Sequence, residues 1–552
     1  MRAVELAAGV VKPACAADPG RSPSIRSQWV VLGAIILPTL LIRIRLLSFP
    51  LERDEGAFAY MAQLLLQGIP PYTQAYDFKP PGLYVMYALF IAVFGESAVG
   101  IHLGLLVMNV ASIVLLFFIA KRLLDVAGAL AASASFAALS LGPSVLGFAA
   151  HATQFVLLPA LAGMLLLMVA MENGHLSTTF WSGALLGAAF LMKQSGMFFV
   201  AFGFVMVLYG CLRSGPTHWR IPVLRTLVFA AGALAPILLA ALLLWLTNAF
   251  EKFWFWCFVY TSRYGSALSA AEGVHVLWAV LPKRVGGYYV LWAMAVAGVV
   301  ATFLYAPIRR FRVFLLVFAA MSFGAVCPGF YFRGHYFIVL LPAIALLSAV
   351  TVRHLDQVFA GTGLPGLRWV PTLLLTIAIA IGLATRPDYY FTSSPTALAR
   401  TAYGANPFPE AVAIAKVIEA RSDPNDRIAV FGSEPELYFY SGRKAASNFI
   451  FTYPLVEKHE FERTMQEEMI SAVEAVRPKY LIVVNVPTSW MARPDSQPLI
   501  FEWLAKYSRQ YYQIAGIVEI RPTGTGYYWD ERARAHSPPS ALSLIVYERT
   551  TA

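Results

Sequence analysis

The sequence predicts an all-α polytopic membrane domain of about eleven transmembrane helices, with interfacial helices in its first outer loop, followed by a soluble α/β domain. Hydrophobic residues make up 58% of the 552 residues and charged residues 13%, against about 45–50% and about 25% in ordinary soluble domains. Apolar runs long enough to cross a bilayer recur over residues 29–385. After residue 385 the composition changes, and acidic residues stand among short apolar runs.

The charge and cysteine content exclude several classes of protein. The net charge of +11 comes from 42 basic and 31 acidic residues, but the basic residues form short clusters between apolar runs, which disfavours a nucleic-acid partner. Residues 1–28 are predicted to be a basic cytoplasmic tail, because they lack the apolar core of a signal peptide. The cysteines are scattered and are expected to be packing residues rather than disulfide or zinc ligands. They are Cys15, Cys211, Cys257 and Cys327.

Hydropathy and charge together predict the topology. A span needs about 20 apolar residues, which places spans near 29–47, 98–119, 126–143, 153–171, 178–193, 195–212, 223–246, 288–306, 313–328, 336–352 and 369–385. Basic residues recur in every second loop, as the positive-inside rule requires of a cytoplasmic N-terminus. The fifth and sixth spans leave almost no loop at Lys193, so a re-entrant tip is the alternative there. The C-terminal region then lies on the outer face, which in a bacterial inner membrane is the periplasm.

Residues 386–552 are predicted to fold as a periplasmic α/β domain. Ile428–Phe431 and Tyr480–Val486 are unbroken apolar runs typical of strands buried on both faces of a parallel sheet. Between them Met465, Met469 and Val473 recur at helical spacing, which predicts a βαβ unit. Further strands are expected over residues 513–520 and 543–547.

The first outer loop opens with the motif Arg53-Asp54-Glu55-Gly56. Phe58, Met61 and Leu65 follow it on one side of a short helix that is expected to lie at the membrane surface. Asp54 stands at the helix start, where the helix dipole favours a carboxylate. A purely capping role is therefore the alternative to a functional role for Asp54.

The same loop continues with a rigid charged turn, Asp77-Phe78-Lys79-Pro80-Pro81-Gly82. The apolar stretch after it, residues 83–94, is too short to span a bilayer and is expected to be interfacial or re-entrant. This arrangement holds Asp77 and Lys79 at headgroup height, where an ammonium meets lipid phosphates. The alternative is a Lys79 that only snorkels to the surface.

Other polar residues are predicted at the same outer level. Lys193 stands among apolar residues, where a charge at bilayer depth costs about 2.5–3.5 kcal/mol and usually has a partner. Arg333 and His335 form a cationic corner, with a purely structural loop as the alternative. His151 and Gln154 are more typical of satisfied buried groups. An aromatic run is expected to be an interface belt rather than a sugar platform; it contains Phe253, Trp254, Phe255, Trp256 and Tyr260.

The two motifs of the first loop resemble those of the family C glycosyltransferases, which are multi-span enzymes. The resemblance is to the branch of the protein O-mannosyltransferases and the aminoarabinose transferases of lipid A. Lys193-Gln194, and His335-Tyr336 followed by Pro342, also match this branch. The resemblance covers residues 29–352. Beyond it, the segment Phe431-Gly432-Ser433-Glu434-Pro435-Glu436 resembles bacterial members of unassigned substrate.

The resemblance implies transfer of a sugar from a polyprenyl-phosphate donor to an acceptor on the outer face, with inversion at the anomeric carbon and no nucleotide donor. The acceptor is a lipid, a glycan or a protein. Asp54 matches the position of the general base that takes the proton of the acceptor hydroxyl. Lys79 is the first choice for stabilising the leaving phosphate, followed by Arg333, Lys193 and His335.

The remaining residues of the predicted site have less direct roles. Glu55 and Asp77 orient the acceptor or hold Lys79, and Arg53 and Tyr336 complete the predicted substrate-binding set. An acidic or polar family position near the fourth span is represented here by His151 to Gln154, which puts an acid role there in doubt. The sequence contains no acidic or histidine cluster of the kind that binds a metal, so neither a metal nor another cofactor is expected.

Two other classes of function compete with the enzyme. A transporter or flippase of lipid-linked sugars would also place polar groups among apolar spans, but transporters tend to bind near the midplane and are often built from related halves. A protein that binds polyprenyl phosphate without chemistry would tolerate the substitution Asp54→Asn.

Overall fold

The computed structural model describes residues 25–213, 220–265, 268–536 and 540–550. Cys15 and most of the predicted tail therefore lie outside the described residues. The chain divides into two compact units. The first, here called the membrane unit, contains the chain up to Leu46, Leu103–Leu242 and Tyr264–Ser393. The second, the sheet unit, contains Leu47–His102, Leu243–Arg263 and Ser394–Ala552. The predicted domain boundaries stay predictions.

The membrane unit is helical. Its helices lie wholly or largely within it, and their bounds are Ile25–Arg45, Ala98–Leu123, Val126–Ser140, Ala152–Asn173, Leu176–Met192, Met197–Arg213, Arg220–Leu246, Ala270–Val285, Tyr289–Leu304, Arg312–Gly324, Leu341–Ala360 and Val370–Ala384. Each predicted span overlaps one of these helices, so the multi-span fold class is confirmed.

The predicted number of spans is a separate matter. Within the described ranges, eight segments are long and apolar enough to cross a membrane. Val126–Ser140 and Leu176–Met192 are apolar but have only 15 and 17 residues, and Arg312–Gly324 has 13. The count of eleven stays a prediction.

Small residues let two helices of the membrane unit approach closely. A Cβ atom on Gly187 would lie 2.1 Å from the carbonyl oxygen of Ala233, and one on Gly183 would lie 2.3 Å from that of Phe229. The two glycines are four positions apart, the spacing that brings helix backbones together in membranes. Leu176–Met192 is thereby packed tightly against Arg220–Leu246.

The helix Leu341–Ala360 forms the core of the membrane unit. Every residue from Leu341 to Val352 is buried. Ser348 donates a hydrogen bond to the carbonyl of Leu291 at 2.9 Å, and Thr351 donates to that of Met294 at 2.6 Å. These hydroxyls fix this helix against Tyr289–Leu304 by polar contacts as well as by packing.

The sheet unit contains, among its described residues, a six-stranded sheet of order β2-β1-β3-β6-β4-β5. The strands are β1 Arg427–Phe431, β2 Lys444–Ala445, β3 Tyr480–Asn485, β4 Tyr512–Arg521, β5 Gly524–Trp529 and β6 Ser543–Arg549. β1 pairs with β2 and β3 in parallel, and the other pairs are antiparallel. The helix Glu462–Val476 lies between β1 and β3 in sequence, which confirms the predicted βαβ unit. β2 and β5 were not predicted.

The helices of the sheet unit come from three parts of the sequence. Their bounds are Arg53–Leu66, Gly82–Phe94, Phe250–Trp254, Thr261–Gly265, Pro395–Tyr403, Phe408–Ala420, Glu436–Ser441, Tyr453–Val456, Glu462–Val476, Pro487–Trp490, Leu499–Tyr511 and Glu531–Arg534. Both helices predicted for the first outer loop are present. They belong to the same compact unit as the C-terminal sheet.

Candidate functional site

Asp54 lies in the first turn of the helix Arg53–Leu66. The cap of this helix is Glu52, whose side chain accepts a hydrogen bond from the backbone N–H of Glu55 at 3.1 Å, while the Glu55 side chain accepts from the N–H of Glu52 at 3.2 Å. This reciprocal pair is a capping box. The alternative in which Asp54 is the cap is therefore wrong. Asp54 is half-buried, and its predicted role as general base stays a prediction.

Glu55 is fully buried next to a histidine. Its Oε1 lies 3.0 Å from Nε2 of His102, and Nδ1 of the same ring lies 2.9 Å from the carbonyl oxygen of Leu47. The Glu55 carboxylate thus contacts both the helix cap and a buried imidazole. These contacts support the interpretation that Glu55 holds the loop, and its predicted role at the acceptor stays a prediction.

Arg53 contacts the C-terminal part of the sheet unit. Its guanidinium donates to Oε1 of Glu434 at 3.0 Å, to Oδ1 of Asn406 at 3.1 Å, and to the carbonyl of Ser433. The arginine side chain is 12% exposed and that of Glu434 is fully buried. Sequence reasoning placed Arg53 in the substrate-binding set, and the structure gives it a buried protein partner.

Glu436 is a second buried acid beside this ion pair. Within the described part of the chain, neither oxygen of its carboxyl group accepts a hydrogen bond from another residue. Burial raises the pKa of Glu436 well above its usual range, the nearby Glu434 raises it further, and Arg53 opposes the shift. A carboxyl group in such surroundings is favoured in its neutral form.

Gly56 of the first motif makes close contact with Glu436. A Cβ atom on Gly56 would lie 2.6 Å from both Cβ and the backbone nitrogen of Glu436. Because only glycine has no Cβ, this position requires it. Sequence reasoning did not connect the two motifs, because neither contains a local signal for a contact with a segment so far along the chain.

Asp77 is buried in the charged turn, at 2% exposure. One carboxylate oxygen accepts a hydrogen bond from the N–H of Phe78 at 2.7 Å, and the other accepts from the hydroxyl of Tyr84 at 2.9 Å. Burial raises the pKa of Asp77, the Lys79 ammonium lowers it, and the charge of Asp54 raises it. Asp77 therefore lies within electrostatic range of both Asp54 and Lys79.

Lys79 is a largely buried residue of the same turn. The residue is 8% exposed, and Nζ lies 3.5 Å from the centre of the Phe78 ring. Among the residues that the structure describes, Nζ has no ion-pair or hydrogen-bond partner. A lysine that snorkels keeps its charged end exposed, and the exposure of the whole residue does not decide this point, so the snorkelling alternative and the contact with a lipid phosphate both stay predictions. A cation without a protein partner among the described residues is suited to an anionic ligand.

The predicted cations of the membrane unit stand beside aromatic rings. Nζ of Lys193 lies 3.8 Å from the centre of the Tyr336 ring, an arrangement that stabilises a cation. The rings of His151 and His335 are stacked with their centres 4.0 Å apart. Arg333 is exposed, and its guanidinium lies 5.5 Å from the ring centre of Tyr331. The structure thus pairs Lys193 with Tyr336 and His151 with His335.

Gln154 has a structural contact. Its side-chain amide donates to the carbonyl oxygen of Gly147 at 3.2 Å, and the residue is buried. This contact agrees with the interpretation of Gln154 as a satisfied buried group.

The aromatic run is divided between two environments. Trp254 is 51% exposed, as expected of a residue in an interface belt. Trp256 and Tyr260 are buried in the sheet unit, where Trp256 stacks on Tyr76 with ring centres 5.0 Å apart. The belt interpretation therefore fits only the exposed residue of these three.

Comparison with known proteins extends these observations. Residues 78–247 match the family described as dolichyl-phosphate-mannose-protein mannosyltransferase. No curated protein sequence matches the chain significantly. The chain shares its fold with ArnT from Cupriavidus metallidurans, solved bound to undecaprenyl phosphate. The TM-score is 0.59 and the identity 15%, over 95% of this chain and 98% of that one.

Two further solved structures are similar. The archaeal oligosaccharyltransferase AglB from Archaeoglobus fulgidus, in complex with an inhibitory peptide and a dolichol-phosphate, has a TM-score of 0.53 and 13% identity, over 95% of this chain and 76% of that one. The arabinofuranosyltransferase AftD from Mycobacteria has a TM-score of 0.50 and 14% identity, over 96% of this chain and 40% of that one. The predicted resemblance is confirmed by the family match and this shared fold.

Proposed function

Because the chain has the fold of the family C glycosyltransferases, we propose that it is an integral membrane glycosyltransferase. It moves a sugar from a polyprenyl-phosphate donor to an acceptor hydroxyl with inversion and without a metal. The match over residues 78–247 supports a transferase of the mannosyltransferase type. The single observation that carries the proposal is that one compact unit contains both Asp54 and Lys79, with Lys79 largely buried and its ammonium without a protein partner among the described residues.

The chemistry follows from the two charges. In a single displacement the acceptor oxygen forms a bond to the anomeric carbon as the bond from that carbon to the phosphate oxygen breaks. The acceptor hydroxyl gives its proton to Asp54. The departing polyprenyl phosphate gains negative charge, which Lys79 stabilises more in the transition state than in the ground state. Attack from the face opposite the leaving group inverts the anomeric carbon.

The proposed donor is supported by the environment of Lys79. Lys79 is 8% exposed and its ammonium has no ion-pair partner in the described ranges, so a phosphate oxygen is well suited to complete its contacts. ArnT was solved with undecaprenyl phosphate and AglB with a dolichol-phosphate, which supports a donor of the same chemical class here. The acceptor is a lipid, a glycan or a protein.

The other predicted residues keep supporting roles in the proposal. Lys193, Arg333, His335 and Tyr336 are proposed substrate-binding residues of the membrane unit. Arg53, Glu55 and Asp77 hold the first loop through the contacts described above. Membrane lipids surround the helices, and no cofactor takes part.

The proposed location is a bacterial inner membrane. The recurrence of basic residues in alternate loops supports a cytoplasmic N-terminus and a periplasmic C-terminal region. The reaction then takes place on the periplasmic face.

The test uses purified full-length protein in lipid nanodiscs, with a polyprenyl-phosphate sugar and envelope extract as acceptor. Asp54→Asn is expected to lower transfer by about 10²–10⁴-fold, the usual contribution of a general base, while leaving donor binding unchanged. Lys79→Ala is expected to weaken donor binding. Full transfer by the Asp54→Asn protein would remove the base assignment. Mass spectrometry of envelope lipids, glycans and glycoproteins from a deletion strain would identify the sugar and the acceptor.

A further inference from the structure

The backbone carbonyl of Lys79 is surrounded by side-chain donors. Among the described residues, its oxygen lies 2.6 Å from the hydroxyl of Tyr72, 3.0 Å from that of Tyr84 and 3.2 Å from Sγ of Cys257. All three donors are buried, at 0%, 0% and 2% exposure. They come from separate places in the sequence, and they meet at one peptide group.

This carbonyl lies before two prolines and depends on side chains for its hydrogen bonds. Pro80 and Pro81 have no N–H to donate, and a residue before proline is restricted to extended conformations. Throughout the described part of the chain, no backbone N–H donates to the oxygen of Lys79. A buried carbonyl without a partner costs free energy, so the side-chain donors are required by the turn itself.

The three donors are not equally available to the Lys79 oxygen. Tyr84 has one hydroxyl proton, and its oxygen is also 2.9 Å from the carboxylate of Asp77. A hydrogen bond to an ionised group is stronger than one to a neutral carbonyl, so the Tyr84 proton is drawn to Asp77. Tyr72 and Cys257 then remain for the Lys79 carbonyl. Sγ of Cys257 is also 3.7 Å from the hydroxyl oxygen of Tyr72, but it lies nearer to the Lys79 oxygen. The thiol, although a weak donor, is one of two groups that fix this peptide plane.

The orientation of the peptide plane decides where the ammonium points. The Lys79 side chain contacts the Phe78 ring through its ammonium, but no hydrogen bond to the described residues fixes that ammonium. The backbone therefore sets the point and direction from which the side chain starts, and the contact with the Phe78 ring constrains its far end. A charge displaced by about 1 Å at a reacting centre loses a large part of its effect.

We propose that Cys257, together with Tyr72, is a positioning residue that sets the direction of the Lys79 ammonium by holding the Lys79 carbonyl. The inference rests on the proposed function, since it assigns the ammonium to the donor phosphate. The proposal gives a role to Cys257, which the sequence alone predicts to be a packing residue.

The first experiment compares Cys257→Ala and Cys257→Ser with the matched control Cys211→Ala, a half-buried cysteine of the membrane unit. KM for the polyprenyl-phosphate sugar, KM for the acceptor and the apparent melting temperature are measured on full-length protein in nanodiscs. Cys257→Ala is expected to raise the donor KM about five- to tenfold and leave the acceptor KM unchanged, as loss of one positioning hydrogen bond implies. Cys257→Ser keeps a donor and is expected to restore the donor KM. Cys211→Ala is expected to match the wild type.

Two kinetic results would overturn the proposal. One is a donor KM unchanged in Cys257→Ala while Lys79→Ala weakens the donor, which leaves the proposed function standing and removes the positioning role. The other is a Cys257→Ser protein as defective as Cys257→Ala, which would show that the site needs the shape of cysteine and not a hydrogen-bond donor.

A second experiment does not depend on transfer at all. The rate at which an amine-reactive reagent labels Lys79 is measured by peptide mass spectrometry for the same variants. Lys79 is only 8% exposed and is expected to react slowly. Cys257→Ala is expected to increase the labelling rate severalfold, while Cys257→Ser is expected to leave it unchanged. Equal labelling rates in all variants would overturn the proposal even if no sugar transfer were ever found.

Discussion

Arg53 and Glu434 form a buried ion pair with 3.0 Å between Nη2 and Oε1, across 381 positions of the sequence. Ser489 donates to the other carboxylate oxygen of Glu434 at 2.6 Å. The pair fixes the residue that immediately precedes Asp54 to a segment that follows β1. Glu434 therefore holds the start of the helix Arg53–Leu66, although it comes from the C-terminal part of the same unit.

Removing one member of this pair is predicted to destabilise the protein. Glu434→Ala leaves the Arg53 charge buried without its partner, a change that costs about 3–5 kcal/mol in comparable pairs. Glu434→Gln keeps a hydrogen-bonding group and is expected to lower the free energy of unfolding by less. The apparent melting temperature in nanodiscs measures both effects.

An exposed pair in the same unit gives the matched control. Arg263 and Glu460 lie 2.8 Å apart with side chains 57% and 48% exposed. Solvent weakens such pairs, so Glu460→Ala is expected to change the melting temperature little. An equal fall in melting temperature for Glu434→Ala and Glu460→Ala would contradict the importance of the buried pair.

Glu436 is predicted to make stability depend on pH. Its pKa in the unfolded chain is near the ordinary value of about 4.5, and burial raises the pKa in the folded protein. The folded state thus keeps a proton that the unfolded state loses, so the contribution of Glu436 to stability is complete below about pH 4.5. It is lost as the pH rises toward the raised pKa.

Glu436→Gln is neutral at every pH and tests this dependence. The charged groups that act on Glu436 are Glu434, Arg53 and Glu52, and the substitution leaves them in place. The variant is expected to melt at a higher temperature than the wild type at pH 7, with a difference that narrows toward pH 5. A difference in melting temperature between the variant and the wild type that is constant with pH, or that widens on acidification, would refute the raised pKa of Glu436.

Gly56→Ala is predicted to damage the contact between the two motifs. The added methyl group would lie 2.6 Å from the backbone nitrogen of Glu436, and overpacking of this kind costs about 1–3 kcal/mol. Gly33→Ala is the control, since a Cβ there meets no atom within 4 Å and the residue is inside a helix. We expect a lower melting temperature for Gly56→Ala alone; unchanged melting of both variants would show that the neighbouring backbone can move aside.

Transfer is predicted to be insensitive to chelators. Incubation of the purified protein with EDTA is expected to leave the rate unchanged, because the proposed displacement uses only a carboxylate and an ammonium. The stacked rings of His151 and His335 offer two imidazoles in one place, and imidazole is a common zinc ligand. A rate abolished by EDTA and restored by zinc would overturn metal independence and direct attention to this pair.

Local sequence patterns predicted much of the fold. Apolar runs identified the membrane helices, and alternating or unbroken apolar segments identified β1, β3, β4 and β6, because these signals depend on burial of a stretch of consecutive residues. β2 is only two residues long, and β5 is a partly exposed edge strand without an apolar run. Neither had a local signal strong enough to predict.

The candidate site was predictable only in part. Asp54, Asp77 and Lys79 belong to one loop, and the resemblance of its two motifs to the family C glycosyltransferases suggested that they act together. Glu434 and Cys257 contact that loop from far along the chain, and nothing in the neighbouring sequence specifies such long-range pairing. Sequence reasoning therefore found the charged groups and missed the residues that hold them.

The short length of Leu176–Met192 has a consequence for the surrounding lipid. At about 1.5 Å per residue, its 17 residues extend about 26 Å, a few ångströms less than the hydrocarbon thickness of about 30 Å. If this helix spans the bilayer, as the sequence predicts, its length leaves a hydrophobic mismatch that is expected to thin the adjacent bilayer. Lys193 directly follows this helix, so lipids with shorter acyl chains are expected to gather around it.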